Sequence, residues 1–461
     1  MIFFDKTEFL FIIICLLFKA ILIMKYKRVE IAIIVFMLFF LPALNVRAQE
    51  TKMLTLNEAV ELSIKNSKQL QLSKARIAEA VAVTKQATQN RLPDANIGVN
   101  FMQLSNVTVH SYRKDTSAIG AFNINQVIYG SANISYPIFT GFKVKFGIES
   151  AEYLEQATKL DADNDKEDVI LNTISAYVNL YKANIAARLV QENLEQSRKR
   201  DTDFTNLEKN GLLARNDLLT AQLQTSQFEL GLLDAQNAIE LAQVNMNILL
   251  GLPESTKLVL DSASLKQPGE VKSIEDYETL AAQNRYDIKA LDSRKKAADA
   301  AIKQAKGDYY PTIALTGGYL AADLPGFISI TNALNVGVGV KYSVSSLWKT
   351  DAKVQQAKAR EQQIQASQAM TLDEIHFSIN KAYSDYYSAL KKLDILKKDV
   401  ERSAENYTIS KNKYDNSLLT LTDLLDADVA QLRAKLNLTL AKADAYVSYQ
   451  TLLQKAGMLN Q

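Results

Sequence analysis

From Leu54 onwards the chain alternates between two hydrophobic periodicities. Stretches of helical period cover Leu56 to Arg91 and Ile274 to Asp308, and each stops short of a proline, Pro93 or Pro311, where a helix is disfavoured. Segments of period two follow. Ile97, Val99 and Phe101 alternate with Gly98 and Asn100, and Ile134 and Tyr136 with Asn133 and Ser135. In the second half Val336, Val338, Val340 and Tyr342 alternate with Asn335, Gly337, Gly339 and Lys341. Apolar positions on one side and small or polar ones on the other suit a strand between lipid and water, and equally an ordinary half-buried antiparallel sheet.

The longest periodic stretches come next, Lys143 to Lys209 and Trp348 to Asp415. In the second, Leu372, Ile379, Tyr386, Leu393, Val400, Tyr407 and Tyr414 recur every seventh position, with Ile375, Ala382, Ala389, Leu396, Ser403 and Ser410 between them. The first repeats the stripe with smaller residues, Val169, Ala176, Ala183, Val190 and Ser197. A sustained heptad seam predicts a coiled-coil helix. Some 60 residues of it would reach about 90 Å. Each long helix is predicted to turn at Asn210-Gly211 or Asn416-Ser417 and re-enter a helix through Asn216-Asp217 or Thr422-Asp423, whose side chains would cap it. The return helix keeps the seam in Leu425, Val429, Leu432, Leu436 and Ala443, so a helical hairpin is expected.

The whole series occurs twice. Asn66 and Asn284 are as far apart as Pro93 and Pro311, while NGLLARNDLLTA (Asn210 to Ala221) and NSLLTLTDLLDA (Asn416 to Ala427) share a shorter offset with Leu250-Gly251 and Ala456-Gly457. An internal repeat follows. The length difference falls between Pro93 and Tyr136, and the second hairpin is read with a short loop from Tyr319 to Leu334. The resulting division is 1–48 as leader, 49–251 as the first repeat (β-hairpin 94–140, tip 208–217), 252–273 as an equatorial linker, and 274–461 as the second repeat (β-hairpin 311–346, tip 414–423).

Composition narrows the chemistry. The chain has 461 residues, is 48% hydrophobic, and balances 53 basic against 51 acidic residues for a net charge of +2, so it carries no electrostatic footprint for nucleic acid. Cys15 is the only cysteine, and His110 and His376 are the only histidines. One chain therefore assembles no Cys/His metal cluster and no Cys–His nucleophile pair. A phosphate-binding G-x-x-x-x-G-K-[ST] loop is absent, and neither a cofactor nor an enzymatic activity is expected. Lys25, Lys27 and Arg28, the apolar run Ile31 to Leu41, and Val46-Arg47-Ala48 read as a signal peptide starting at Met24, behind an upstream apolar extension.

Four such strands are too few to close a membrane barrel, which takes about eight or more, so a membrane reading demands association. Two, three or four copies would all satisfy that demand. A soluble periplasmic coiled-coil adaptor or scaffold is the alternative, which accounts for the helices but not for the repeated hairpins.

The segments LTLNEAVELSIKNSKQL, RLPDANI, SYPIFTGFKVKFGIESAE, NGLLARNDLLTAQLQTSQFELGLLDA, LLGLP and NSLLTLTDLLDADVAQLRAKLNLTLAKADAYVSYQTLLQKAG, in this order and duplicated, closely resemble the TolC-like outer membrane efflux protein family from Leu54 to Leu459. The resemblance implies a mainly α fold with membrane β: a homotrimer whose 12-stranded β-barrel continues into an α-helical periplasmic barrel. It implies a passive exit duct of a tripartite efflux pump or type I secretion system, in the outer membrane, partnered by a periplasmic adaptor and an inner-membrane pump. Its adaptor-docking tips fall on Gly211, Leu212, Leu213, Asn216 and Asp217, and on Ser417, Leu418, Leu419, Thr422 and Asp423. Ser417 departs from the usual glycine, which makes a left-handed turn there less comfortable. Asp415, Asp423 and Asp426 are candidates for a gate or selectivity ring. Tyr136, Tyr310, Tyr342 and Trp348 lie where strands meet helices and suit either an interfacial belt or simple junction packing.

Overall fold

The architecture is that of a computed structural model, which describes residues 51–105, 125–261, 271–325 and 328–459. The leader 1–48, most of the connection between the first two hairpin strands and part of the 252–273 linker lie outside the described residues. A small unit, Met1–Lys52 with Ser255–Leu258, holds parts of β1 (Thr51–Leu54) and β4 (Lys257–Leu260), which pair as a two-stranded sheet. The large unit is Met53–Glu254 with Val259–Gln461.

In the large unit one order of elements occurs twice. The first half runs α1 (Leu56–Asn66), α2 (Lys68–Gln89), β2 (Asp94–Gln103), β3 (Gln126–Phe139), α3 (Lys143–Lys209) and α4 (Arg215–Leu250). The second runs α5 (Ile274–Asn284), α6 (Tyr286–Lys306), a 3-10 turn, β5 (Thr312–Leu324), β6 (Ile328–Lys341), α7 (Ser346–Asp415) and α8 (Leu421–Lys455). With 67 residues, α3 is about 100 Å long.

The helices expected over Leu56 to Arg91 and Ile274 to Asp308 are each broken in two. Ser67 leaves helical geometry at φ −57° and ψ 123°, and Arg285 does so at φ −59° and ψ 129°. The cause lies far away in sequence. Asn66 Nδ2 donates to the Leu250 carbonyl at 2.6 Å, and Gly251, at φ +67°, comes so close that a Cβ on it would stand 2.8 Å from Asn66 Cβ. Gly457, at φ +68°, closes on Asn284 and Arg285 in the same way. Each repeated asparagine therefore marks a kink against which its half's return helix ends.

Heptad positions bury as their period demands. Ile379, Ala382 and Tyr386 on α7 join Tyr277, Ala281 and Leu452 in one core, and burial pushes the Tyr386 phenol up to about 12. Leu372 is the seam position left exposed.

The hairpins form one antiparallel sheet in the order β2-β3-β5-β6. The loop expected from Tyr319 to Leu334 is mostly ladder: Tyr319 pairs with Leu334 and Leu324 with Ile328. Ala321 and Ala322 sit inside β5 and Ala333 inside β6.

Candidate functional site

Register sorts the sheet into two chemically distinct faces. Ile97, Val99 and Phe101 of β2 lie opposite Ala132, Gly130 and Ile128 of β3. Ile134 and Tyr136 lie opposite Gly317 and Leu315 of β5, which face Val336 and Val338 of β6. Partners across a ladder share a face, so one side is a field of Ile, Val, Phe and Leu. The other carries Asn96, Asn100, Ser131, Asn133, Ser135, Thr316 and Asn335 with glycines between them. The apolar face is bare: Ile97 is 86% exposed and Val336 77%. Among the described residues β2 and β6 each lack a partner on their outer edge. Sheets avoid such edges, and lipid excludes them.

The strand-to-helix junctions are tightly built. Gly141 and Phe142, both at φ 65°, swing the chain from β3 into α3. A Cβ on Gly141 would overlap the Gly307 carbonyl oxygen, and one on Gly307 would stand 2.6 Å from the Gly141 oxygen. The two backbones touch where the halves meet. Lys143 and Lys353 donate to Asp308 at 2.8 and 2.6 Å and hold its carboxyl below the usual range. Tyr310 packs edge-on against Phe142 at 6.2 Å yet stays exposed, as do Tyr136, Tyr342 and Trp348.

At the far end the turns are Schellman motifs. Leu212 N–H reaches the Leu207 carbonyl and Gly211 N–H that of Glu208, both at 2.9 Å, while Leu418 and Ser417 repeat the pattern onto Lys413 and Tyr414 at 2.8 Å. Ser417 takes the left-handed turn at φ 58° despite its Cβ, so the two tips share one geometry. The leucine after each left-handed residue points out, Leu212 74% and Leu418 75% exposed.

The expected capping differs. Ala214 precedes α4 and makes no side-chain cap, and Thr420 precedes α8 and accepts from Asp423 N–H at 3.3 Å. Asp217 and Asp423 are thus first-turn acids at the positive helix end, with Asp423 Oδ2 accepting from the Thr420 hydroxyl at 2.6 Å. Asn216 and Thr422 are exposed beside them.

The two tips are held side by side. Phe204, Leu218, Ala221, Leu421 and Leu425 form one core, with Leu213 and Tyr414 against it. Burial foremost, then Asp217 and Asp415, raises the Tyr414 phenol. Asp415, Asp423 and Asp426 are exposed, and Leu419 is half-buried.

Arg200 is the residue here that apolar patterning overlooks, and Asp428, a tip-proximal acid by sequence, is its partner. Arg200 Nη1 meets Asp428 Oδ2 at 3.0 Å, with side chains only 14% and 7% exposed, linking α3 to α8. Arg200 Nη2 also donates to Ser197 Oγ at 3.3 Å and Gln224 Oε1 at 3.5 Å. The available signal was position: Arg200 stands three residues after Ser197 on the small stripe, where a seam wants an apolar side chain.

Among the described residues no group of three or more His, Cys, Asp or Glu could hold a metal ion, and no helix is long and apolar enough to cross a membrane. A sheet with one lipid-compatible face and one hydrated face, running directly into helical rods, defines the protomer of a membrane channel.

The chain belongs to the outer membrane efflux protein family, which it matches over residues 59–252 and 279–458. It is 24% identical over 412 residues to the toxin and drug export protein A of Aggregatibacter actinomycetemcomitans, covering 84% of this chain and 82% of that one. It is 23% identical over 413 residues to the outer membrane efflux protein BepC of Brucella suis biovar 1 (strain 1330), covering 88% and 86%. The outer membrane protein VceC of Vibrio cholerae superposes with a TM-score of 0.71 at 20% identity, over 87% of this chain and 96% of that one. The protein is an outer-membrane efflux channel with a helical part in the periplasm. Its family and fold are those of channel proteins, not enzymes.

Proposed function

We propose that three copies of this chain close a 12-stranded barrel in the outer membrane, continued by an α-helical barrel across the periplasm, each chain contributing two copies of one unit. The observation that carries this reading is the four-stranded sheet with a bare apolar face and open edges at β2 and β6. An unsatisfied backbone group in lipid costs several kcal/mol. Closure edge to edge with other copies removes that cost on every strand and leaves the Asn, Ser and Thr face lining water. The bare apolar face speaks against a soluble scaffold.

The duct itself performs no chemistry, and transport energy comes from an inner-membrane pump reached through a periplasmic adaptor. The tips Gly211, Leu212, Leu213, Asn216 and Asp217, with Ser417, Leu418, Leu419, Thr422 and Asp423, are the proposed docking surface. The exposed Leu212 and Leu418 support this, since one leucine at the same turn position of both hairpins offers an adaptor the same apolar contact twice. Asp415, Asp423 and Asp426 are the proposed gate. Threefold symmetry would turn each into a ring of charge.

Barrel closure is tested with cysteine pairs, one on the β2 edge and one on the β6 edge, such as Asn100→Cys with Gly337→Cys and its register neighbours. The sole native cysteine, Cys15, lies in the leader. Disulfide-linked trimers on denaturing gels are expected for at least one register, and linkage confined to dimers at every register would overturn the closed trimer. For the gate, neutralising Asp415 and Asp423 together is expected to change single-channel conductance and weaken cation preference. Unchanged values would remove those aspartates from that role.

A further inference from the structure

Where β3 passes into α3 the chain has a cleft of about 350 Å³. Its floor is apolar, with Tyr136, Ile138 and Phe142, and its polar rim includes Arg91 from the end of α2 and Lys145 from the first turn of α3. Both cations are exposed, and neither is paired with a carboxylate among the described residues. Among the described residues no carboxylate lines the cleft. The junction acid Asp308 is already matched by Lys143 and Lys353, and the acids Asp94 and Glu149, near Arg91 and Lys145 along the chain, are not part of the cleft's lining. A third cation stands close, because Lys145 Nζ and Lys303 Nζ lie 5.7 and 5.5 Å from the same Phe146 ring. Two exposed cations on the rim of a cleft whose lining holds no carboxylate favour an anion there.

The floor identifies which anion. Tyr136 is the last residue of the sheet's apolar face on β3, in line with Ile134, and Ile138 lies in the irregularity just beyond it. The cleft thus continues the lipid-facing surface and ends it in cations. We propose that it binds one anionic phospholipid of the periplasmic leaflet, with the phosphate between Arg91 and Lys145 and the acyl chains along Tyr136 and Ile134. The inference rests on the apolar face lying in lipid, as the proposed function has it. Free phosphate would satisfy the cations but would leave the apolar floor uncovered. A zwitterionic lipid would cover the floor while bringing its own cation to the rim.

The test uses the full chain, first shown to need detergent for extraction. It is titrated with dioleoyl phosphatidylglycerol or dioleoyl phosphatidylcholine, and bound lipid is counted by native mass spectrometry. Each basic group near an anionic lipid contributes roughly a fivefold preference, so R91Q/K145Q is expected to lose on the order of tenfold or more of the phosphatidylglycerol selectivity. The control K391Q/K392Q, with the same charge removed from exposed positions on α7, is expected to keep it. Equal binding of both lipids by the wild type, equal loss in the two variants, or displacement of the lipid by millimolar inorganic phosphate would each overturn the site while leaving the channel reading intact. Release of the chain by alkali without detergent would overturn both.

Discussion

The buried ion pair between Arg200 and Asp428 gives the sharpest quantitative prediction. Asp428→Asn removes the negative charge at 3.0 Å and leaves a guanidinium, 14% exposed, with only neutral acceptors: the Ser197 hydroxyl, the Gln224 amide oxygen and the new Asn amide oxygen. Its Nε already lacks a partner. Breaking a buried pair costs about 3–5 kcal/mol, because an uncompensated charge stays behind, whereas replacing both partners by apolar residues is neutral or stabilising by about 1–4 kcal/mol. The residual exposure of Arg200 puts Asp428→Asn at the lower end, about 3 kcal/mol per chain. R200M alone should cost about as much, and R200M/D428L should recover most of it. Thermal unfolding of the detergent-solubilised protein, followed by circular dichroism at a fixed scan rate, measures the cycle, and the scan rate matters because such unfolding is often irreversible. Strictly additive losses, with a coupling under about 0.5 kcal/mol, would refute the claim that this pair joins α3 to α8.

Three further outcomes follow from the geometry. Gly141→Ala forces a Cβ into the Gly307 carbonyl at a left-handed backbone position, and should cost at least about 3 kcal/mol, read as loss of assembled protein in outer membranes. Ser417→Gly relieves a φ of 58° and should raise stability by roughly 1 kcal/mol, while Gly211→Ser, with open space around its Cβ but the same turn, should lower it by a similar amount in the same melt. Glu167 is buried on α3, and desolvation foremost lifts its carboxyl to about 6, with Asp168, Asp287 and Asp163 adding to the rise and Arg285 opposing it. A folded value above the unfolded one makes ionisation costly to the fold, so this contribution is favourable below about pH 4.5 and is lost as pH rises through 6. Glu167→Gln should therefore stabilise the protein at pH 7.5 by roughly 1–2 kcal/mol and flatten its stability between pH 4.5 and 7, and a melt with an unchanged pH profile would refute this.

Much of the fold is legible because long elements repeat their period many times. The α7 seam states its buried and half-buried face at Ile379, Tyr386, Val400, Tyr407 and Tyr414, and the β6 alternation of Val336, Val338 and Val340 states which side of the strand is apolar. What stays hidden depends on distant partners. The helix breaks at Ser67 and Arg285 go with Gly251 and Gly457 closing on Asn66 and Asn284, distant contacts that the helical period does not register; the local mark at the first is Ser67, which caps the next helix by accepting from Leu70 N–H at 3.3 Å. The caps are misread by three residues because Asp217 and Asp423 are typical capping side chains, while the true cap positions hold Ala214, which contributes no side-chain bond, and Thr420. Tyr319 to Leu334 is read as a loop from the repeat offset, yet Tyr319 to Leu324 and Ile328 to Leu334 pair with each other as strands. Arg200 escaped notice because a seam read only through its apolar members has no place for a charge.

The central claim, that several copies of this chain form one transmembrane duct, is tested most directly by measuring mass and conductance on one preparation. The mature protein is purified from outer membranes in detergent, its protein mass is determined by light scattering, and the same material is added to a planar bilayer. The account predicts a mass of three chains and discrete, small conductance steps, as expected of a duct narrowed at its periplasmic tips. A monomer that stays soluble without detergent and passes no current would contradict it.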